Sequence, residues 1–184
     1  MEVVATGKII LYIGPMYAGK TRILITTIQR YLIAGIPCLV CSPNIDTRYP
    51  GDCITSHDGY TLDAIKLENL MDLDLKNTRY KVIGIDEAQF FPDLLQFCLK
   101  AASEYGIKVI VAALDGDFKK EPFENISKLI PHADKIKKVK AVCIKCGSDA
   151  PFTSKIKGTG TTVEIGGSDL YEPRCRRCYE LYKH

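Results

Sequence analysis

The sequence lacks a long apolar run and a strong excess of charge of one sign. No stretch approaches the roughly 20 apolar residues that a helix needs to cross a bilayer, and the first residues lack the pattern of a secretory signal. We therefore expect a cytoplasmic protein that has no membrane partner. The formal net charge of +3 is small for a dedicated nucleic-acid binder, so we expect no nucleic-acid partner.

The sequence also lacks internal repeats and low-complexity linkers. Its 184 residues, 46% hydrophobic and 26% charged, suit one globular domain with a small appended subdomain. Short apolar runs alternate with helix-like stretches, which predicts a parallel sheet flanked by helices. The predicted strands are 7–13, 37–42, 81–86 and 107–114, and the predicted helices are 20–34 and 92–104. A polar stretch with turn signals, 44–60, predicts a mobile loop.

A phosphate-binding loop is predicted between the first strand and the first helix. The run Gly-Pro-Met-Tyr-Ala-Gly-Lys-Thr at 14–21 matches the pattern G-x-x-x-x-G-K-S/T. In this context backbone N–H groups and the helix N-terminus meet an anion, with Lys20 reaching the β- and γ-phosphates of ATP and Thr21 ligating Mg²⁺. The predicted loop residues are Gly14, Pro15, Met16, Tyr17, Ala18, Gly19, Lys20 and Thr21. A plain glycine-rich turn is disfavoured because both spacing and context agree with the motif.

Two carboxylates follow the third predicted strand. Asp86 occupies the position of a residue that holds Mg²⁺, and Glu87 can point toward a neighbouring acceptor. There Glu87 can take a proton from a substrate alcohol or from water, so kinase and hydrolase both remain open. The run Asp-Glu-Ala-Gln at 86–89 is also similar to a motif of helicase ATPases, although 184 residues leave no room for a second ATPase lobe.

Two cysteine pairs predict a structural zinc site. The pairs are 28 residues apart, and four thiolates in two chelating turns suit a tetrahedral Zn²⁺ that takes no part in chemistry. The predicted ligands are Cys143, Cys146, Cys175 and Cys178. We expect a division into residues 1–140 and a zinc-stapled subdomain at 141–184. The other cysteines, Cys38, Cys41, Cys53 and Cys98, are interpreted as ordinary or core thiols.

Taken together, these motifs resemble the type II thymidine kinases, the cytosolic and large-DNA-virus family. The resemblance rests on residues 14–21, Asp-Thr-Arg at 46–48, Asp-Glu-Ala-Gln-Phe-Phe-Pro at 86–92, Leu-Asp-Gly-Asp-Phe at 114–118, both cysteine pairs and Gly-Gly-Ser-Asp-Leu-Tyr at 166–171. It covers nearly the whole chain. It implies an α/β P-loop NTPase fold of the RecA-like kind with a small C-terminal zinc-binding lasso.

The resemblance implies roles for the residues around the phosphates. Glu87 would be the general base that takes the proton of the 5′-hydroxyl of thymidine, and Lys20 and Arg48 would neutralise the transferring phosphate. Asp46 and Gln89 would order the residues around the phosphates. Tyr17 and Ala18 depart from the Phe and Ser that are usual in the family. A nucleic-acid-dependent ATPase and a nucleotide-sensing scaffold remain as alternatives.

The resemblance also implies a nucleoside pocket and a set of partners. Backbone groups of a lasso loop, 162–166, would bind the thymine edge, and the zinc would brace that loop. The implied pocket residues are Met16, Phe90, Leu114, Phe118, Thr153, Thr162, Val163, Glu164, Ile165, Gly166 and Tyr171. Deoxyuridine differs from thymidine by one methyl group and is an equally possible substrate. A homotetramer and feedback inhibition by thymidine triphosphate are further implications.

Overall fold

Apolar runs of the sequence form one parallel sheet in a computed structural model that describes residues 7–46, 51–156 and 166–181. The strands are β1 (Ile9–Ile13), β2 (Cys38–Pro43), β3 (Cys53–Thr55), β4 (Thr61–Asp63), β5 (Ile65–Leu67), β6 (Val82–Ile85), β7 (Lys108–Ala113), β8 (Lys135–Lys138), β9 (Ala141–Val142), β10 (Asp149–Ala150), β11 (Phe152–Lys155) and β12 (Tyr171–Arg174). The helices are α1 (Lys20–Ile33), α2 (Leu94–Leu99), α3 (Glu124–Leu129) and α4 (Arg176–Leu181).

The central sheet has six parallel strands in the order β5-β2-β6-β7-β1-β8. Strand β7 therefore separates β1, which leads into the phosphate-binding loop, from β6, which leads into Asp86. Because the strands are parallel, their carboxyl ends lie at one edge, where ligands of open α/β sheets bind. This confirms the predicted α/β class and brings the ends of β1, β2, β6 and β7 together.

Both faces of the sheet are buried, which explains its nearly continuous apolar strands. In β7, Val109 and Val111 face the cluster that α2 and α3 cover, whereas Ile110 and Ala112 face α1. Helix α1 is amphipathic and buries Leu24 and Ile28 against the sheet. The α1 segment that begins at the phosphate-binding loop is thus held firmly on the sheet.

Three features of the fold differ from the prediction. The stretch 44–60 was predicted as a loop, yet β3 within it pairs antiparallel with β4 to form a hairpin. Strand β5, which is short, was not predicted, and the lysine-rich strand β8 is exposed along all four of its residues on the sheet edge. The predicted helix 92–104 is a short α-helix followed by a π-helical turn at Lys100–Glu104.

The chain after the sheet builds a small unit around its cysteines. We call residues 141–156 and 166–181 the cysteine module. Its strands form two antiparallel pairs, β9 with β10 and β11 with β12, and α4 follows β12. Its buried residues form a cluster separate from those of the sheet, containing Ala141, Ala150 and three of the cysteines.

A membrane-spanning helix was not expected from the sequence. Within the described ranges, no helix is long and apolar enough to cross a bilayer.

Candidate functional site

A cavity of about 280 Å³ opens at the carboxyl edge of the sheet. Two groups of side chains line it, one from the phosphate-binding loop and its surroundings, the other apolar and aromatic. On the phosphate side, the predicted residues that line the cavity are Met16, Tyr17, Gly19, Lys20, Thr21, Asp46 and Glu87. One continuous space therefore joins the predicted phosphate and nucleoside sites.

The phosphate-binding loop adopts a backbone that glycine makes possible at two positions. Gly14 has φ 149°, and a Cβ there would lie 2.3 Å from the carbonyl oxygen of Val139. Gly19 has φ 76° and caps α1. Tyr17 also has a positive φ, 63°, which is unfavourable for a bulky side chain. The loop is thus a fixed turn between strand and helix, as its motif predicts.

Lys20 lies inside the loop rather than in solvent. It is 8% exposed, and its Nζ donates to the carbonyl oxygen of Pro15 at 2.6 Å. A lysine held in this way presents its positive charge to the concave side of the loop. The alternative of an exposed lysine on a plain turn therefore does not describe this site.

Thr21 and Asp86 meet across the end of the sheet. The hydroxyl of Thr21 lies 3.1 Å from each carboxylate oxygen of Asp86, which is buried. A hydroxyl and a carboxylate side by side are oxygen ligands of the kind Mg²⁺ accepts beside substrate phosphates. The two residues predicted to hold the metal therefore lie side by side, although they are 65 residues apart in sequence.

Glu87 lines the cavity together with both groups of side chains. Gln89 donates from Nε2 to Glu87 Oε2 at 2.6 Å, and its Oε1 accepts the backbone N–H of Leu114 at 3.0 Å. Glu87 itself has φ 47°, a conformation that non-glycine residues keep only where the surroundings enforce it. Gln89 therefore orients the Glu87 carboxylate rather than lining the cavity.

The segment after Glu87 is fixed by a residue that the sequence did not single out. Asn125, on α3, donates from Nδ2 to the carbonyl oxygens of Gln89 at 3.0 Å and Phe91 at 2.9 Å. It also contacts the carbonyl oxygen of Ala88. Two of these carbonyls belong to the short 3₁₀ turn Ala88–Phe90 and the third to Phe91, its C-cap, so Asn125 ties the segment after Glu87 to α3.

The other half of the cavity is apolar and aromatic. Such a lining with a few polar groups suits a planar base. The predicted nucleoside residues that line it are Met16, Phe90, Leu114, Phe118, Thr153, Gly166 and Tyr171. Phe123 was missed: it also lines the cavity, and its ring meets the ring of Phe90 edge-on at a centroid distance of 6.5 Å. The aromatic content of 114–123 was the only sequence signal for it.

The β3–β4 hairpin supplies a further wall that the sequence did not predict. Its residues Ser56, His57 and Asp58 line the phosphate side of the cavity. Asp58 accepts from Arg22 of α1 at 2.9 Å, and the ring of His57 stacks on Tyr17 at 4.7 Å. Hydrogen bonds from Ser56 above all, and the charge of Arg22, hold the pKa of the Asp58 carboxyl below its usual value.

Arg48 and four residues of the predicted lasso, Thr162, Val163, Glu164 and Ile165, lie outside the described residues. Their predicted roles therefore stay predictions. Asp46 and Gly166, at the borders of these gaps, both line the cavity. The predicted remaining loop residues, Pro15 and Ala18, belong to the loop backbone next to the cysteine module.

The four predicted cysteine ligands come together as one cluster. Their Sγ atoms all lie within 4.8 Å of one another, and those of Cys146 and Cys175 are 3.6 Å apart. Four sulfurs at ~2.3 Å from a tetrahedral Zn²⁺ lie about 3.8 Å from one another. The donor set and its spacing therefore fit a structural metal site.

Two cysteines of the cluster have pKa values shifted in opposite directions. Hydrogen bonds from the Ser148 hydroxyl and backbone lower the pKa of the Cys146 thiol to about 6. Burial, together with sharing of a proton with Cys146, raises the pKa of Cys178 to about 12. Zn²⁺ binds thiolates, so its binding would displace the protons that the thiols carry.

The cysteines outside the module behave as core thiols. Burial raises the pKa of Cys41 to about 12 and also raises the pKa of Cys98, with a smaller contribution from Asp93. Protonated, buried thiols are inert. Cys38 is half-buried and packs beside the α1 face of the sheet, as predicted.

Comparisons with known proteins agree with this geometry. A family model described as thymidine kinase matches residues 7–179. The thymidine kinase of Myxoma virus (strain Uriarra) is 45% identical over 174 residues, covering 94% of this chain and 96% of the viral protein. The thymidine kinases of Monkeypox virus and Vaccinia virus (strain Western Reserve) are also 45% identical, covering 94% of this chain and 97% of their own.

Proposed function

The chain belongs to the thymidine kinase family, and from this premise we propose that it transfers the γ-phosphate of ATP to the 5′-hydroxyl of thymidine. A bond forms between the 5′-oxygen and the γ-phosphorus, the bond from that phosphorus to the β–γ bridging oxygen breaks, and ADP leaves. The product, thymidine monophosphate, would serve pyrimidine salvage. The carrying observation is that Glu87, Lys20 and the aromatic side chains line one cavity.

Glu87 is the proposed general base. Its carboxylate is oriented by Gln89, which is in turn fixed by the backbone of Leu114. A carboxylate fixed in this way can accept the 5′-hydroxyl proton as the alcohol attacks, a role worth about 10²–10⁴ in rate. The left-handed backbone at Glu87 supports the role, because such unfavourable conformations concentrate at functional sites.

The loop at 14–21 is the proposed site for the phosphates of ATP. Its backbone N–H groups and the charge of Lys20 would neutralise the β- and γ-oxygens. Thr21 and Asp86 would hold Mg²⁺, which supplies further neutralisation of phosphate charge when bound. Arg48 would add a second positive charge, and Asp46 would order that region.

The aromatic half of the cavity is the proposed nucleoside site. We add Phe123 to the predicted set of Met16, Phe90, Leu114, Phe118, Thr153, Tyr171 and residues 162–166, because it lines the same space. A planar pyrimidine fits between aromatic side chains. The methyl group that separates thymidine from deoxyuridine is worth about 1 kcal/mol in such a pocket, so both should be substrates within about tenfold of each other.

The cysteine cluster is the proposed site of one structural Zn²⁺, held by Cys143, Cys146, Cys175 and Cys178. Four protein ligands leave no open position, so the ion would brace the module. We keep the division into residues 1–140 and 141–184, which the separate buried cluster of the module supports. Metal analysis of protein purified without chelators should find about one zinc per chain.

We also propose a cytoplasmic homotetramer that thymidine triphosphate inhibits, an assignment that rests on the family. Size-exclusion chromatography with light scattering tests the assembly, and activity titrated with thymidine triphosphate tests the inhibition. A homogeneous monomer, or activity unchanged at millimolar triphosphate, would remove the corresponding part of the assignment.

A nucleic-acid-dependent ATPase, the main alternative from the sequence, is not favoured. The family match covers residues 7–179 and therefore includes both the ATP-binding motifs and the cysteine module. The aromatic subsite beside Glu87 also gives a nucleoside a place that an ATPase does not need. ATP hydrolysis stimulated by DNA or RNA, and indifferent to thymidine, would revive the alternative.

The function is tested with MgATP and a panel of nucleosides, using wild-type protein and Glu87→Gln. Wild type should phosphorylate thymidine, and Glu87→Gln should bind both substrates but turn over at least about 10²-fold more slowly. Glu104→Gln, the same change at an exposed position of the π-helical turn, is the control and should match wild type. Near-normal turnover of Glu87→Gln would exclude Glu87 as the base.

A further inference from the structure

We propose that the cysteine module positions the phosphate-binding loop, and that Thr153 and Tyr17 are the positioning residues through which it acts. The sequence assigned the module only to the nucleoside side of the site. This inference rests on the proposed function in one respect, namely that the loop at 14–21 receives the phosphates of ATP.

The first contact is a hydrogen bond between distant parts of the chain. The backbone N–H of Met16 donates to Oγ1 of Thr153 at 3.0 Å, across 137 residues of sequence. Thr153 is buried on β11, where it pairs with Pro173 of β12, two residues before Cys175. The middle of the loop is therefore tied directly to the framework that carries the second cysteine pair.

The second contact is apolar and lies one residue further along the loop. Tyr17 and Ala18 pack against the buried cluster of the module, which contains Cys143, Cys175 and Cys178. Tyr17 has a positive φ, which an ordinary side chain keeps only when its surroundings enforce it. The module contacts Tyr17 from one direction, and the ring of His57 stacks on it from another.

The rest of the loop has other anchors. Gly14 packs against the carbonyl oxygen of Val139 at the end of the sheet, and the carbonyl of Gly19 accepts the N–H of Ile23 in the first turn of α1. The sheet thus fixes the beginning of the loop, and the helix fixes its end. The segment 16–18 between them contacts the module through Met16, Tyr17 and Ala18 and also contacts His57, so the module contributes to the direction of its backbone.

This dependence has a specific consequence for the binding of ATP. Backbone N–H groups bind an anion well only when they already point at it, because ordering them on binding costs free energy. If the module merely braced the nucleoside loop, a change in the module would weaken the binding of thymidine and leave the affinity for ATP unchanged. If it positions the phosphate-binding loop, ATP binding weakens even when no nucleoside is present.

The test measures binding of MgATP alone, by calorimetry, to the metal-loaded protein and its variants. Thr153→Val removes the acceptor for the Met16 N–H at nearly constant volume and should raise the Kd for MgATP about tenfold, whereas Thr153→Ser keeps the acceptor and should stay within about twofold. Thr26→Val makes the same change on the exposed face of α1 and should have no effect.

Tyr17 gives an independent pair of variants if Thr153→Val does not fold. Tyr17→Leu removes the ring that packs on the module and on His57, and it should raise the Kd for MgATP at least fivefold; Tyr17→Phe keeps the ring and should bind like wild type. Removal of the metal with a chelator, with circular dichroism to confirm that the sheet stays folded, should weaken MgATP binding in the same way.

The outcomes separate this inference from the function beneath it. Thr153→Val and Tyr17→Leu proteins that bind MgATP like wild type, with or without altered thymidine affinity, overturn the positioning role and leave the kinase assignment intact. Wild-type protein that binds no MgATP overturns the proposed function itself. Weakened MgATP binding in both variants, restored in Thr153→Ser and Tyr17→Phe, supports the inference.

Discussion

The buried ion pair of the cysteine module gives the sharpest prediction about stability. Arg174 is 2% exposed, and its Nε donates to Glu172 Oε1 at 2.5 Å, while Nη1 reaches the carbonyl oxygen of Cys178 at 3.5 Å. Replacing Glu172 with Gln leaves the guanidinium buried without its opposite charge. Breaking a buried pair from one side costs about 3–5 kcal/mol. Because the Gln oxygen can still accept one hydrogen bond, we expect the free energy of unfolding to fall by ~3 kcal/mol, the lower end of this range.

The measurement is urea unfolding of the metal-loaded protein. The chain has ten tyrosines and no tryptophan, so tyrosine fluorescence and far-UV circular dichroism are the suitable probes. The double variant Glu172→Leu with Arg174→Met removes both charges and should lie within about 1 kcal/mol of wild type, since an apolar pair avoids the desolvation cost.

The control for this prediction is the exposed ion pair between Asp149 of the module and Lys140, the residue just before the module. Lys140 and Asp149 are 2.8 Å apart, with side chains 53% and 75% exposed, so Asp149→Asn should cost at most about 1 kcal/mol. If Glu172→Gln lowers the free energy of unfolding no more than Asp149→Asn does, with equal m-values for the two proteins, breaking the buried Glu172–Arg174 pair does not have the predicted cost.

Two further predictions concern residues that the structure added to the site. Phe123→Ala removes an aromatic wall of the cavity and the edge-on partner of Phe90. In steady-state assays the KM for thymidine should rise about tenfold or more, because the lost burial is worth ~1.5–3 kcal/mol. The KM for ATP should stay unchanged. Asn125→Ala removes the donors to the carbonyls of Gln89 and Phe91. The kcat should fall about tenfold, because the lost hydrogen bonds are worth ~1.4 kcal/mol. An unchanged kcat would show that Asn125 does not help place the Glu87 segment.

Local motifs made much of the fold and site predictable. The phosphate-binding loop, Asp86 and Glu87 each follow an apolar strand, and parallel strands bring their carboxyl ends to one edge. The cysteines were predictable because the chelating spacing within each pair is itself local. In each case a short segment carries the information, and the topology then assembles the segments.

Contacts between distant segments were not predictable in the same way. His57 reaches the site because the β3–β4 hairpin folds over Tyr17, and nothing in a polar stretch indicates that contact. The Glu172–Arg174 ion pair was not predicted, since only the fold shows that both side chains point into the same buried space. Strand β5 escaped prediction because it is only three residues long.

The place of β1 in the sheet has a consequence for biosynthesis. This strand leaves the ribosome before its two neighbours, β7 and β8, which follow it by about a hundred residues or more. At ~5–20 residues per second, roughly 10 s pass before Thr153 follows Met16 out of the tunnel. Strand β1 therefore waits unpaired until β7 is made, and shortened translation products that end before β7 should depend on chaperones for solubility.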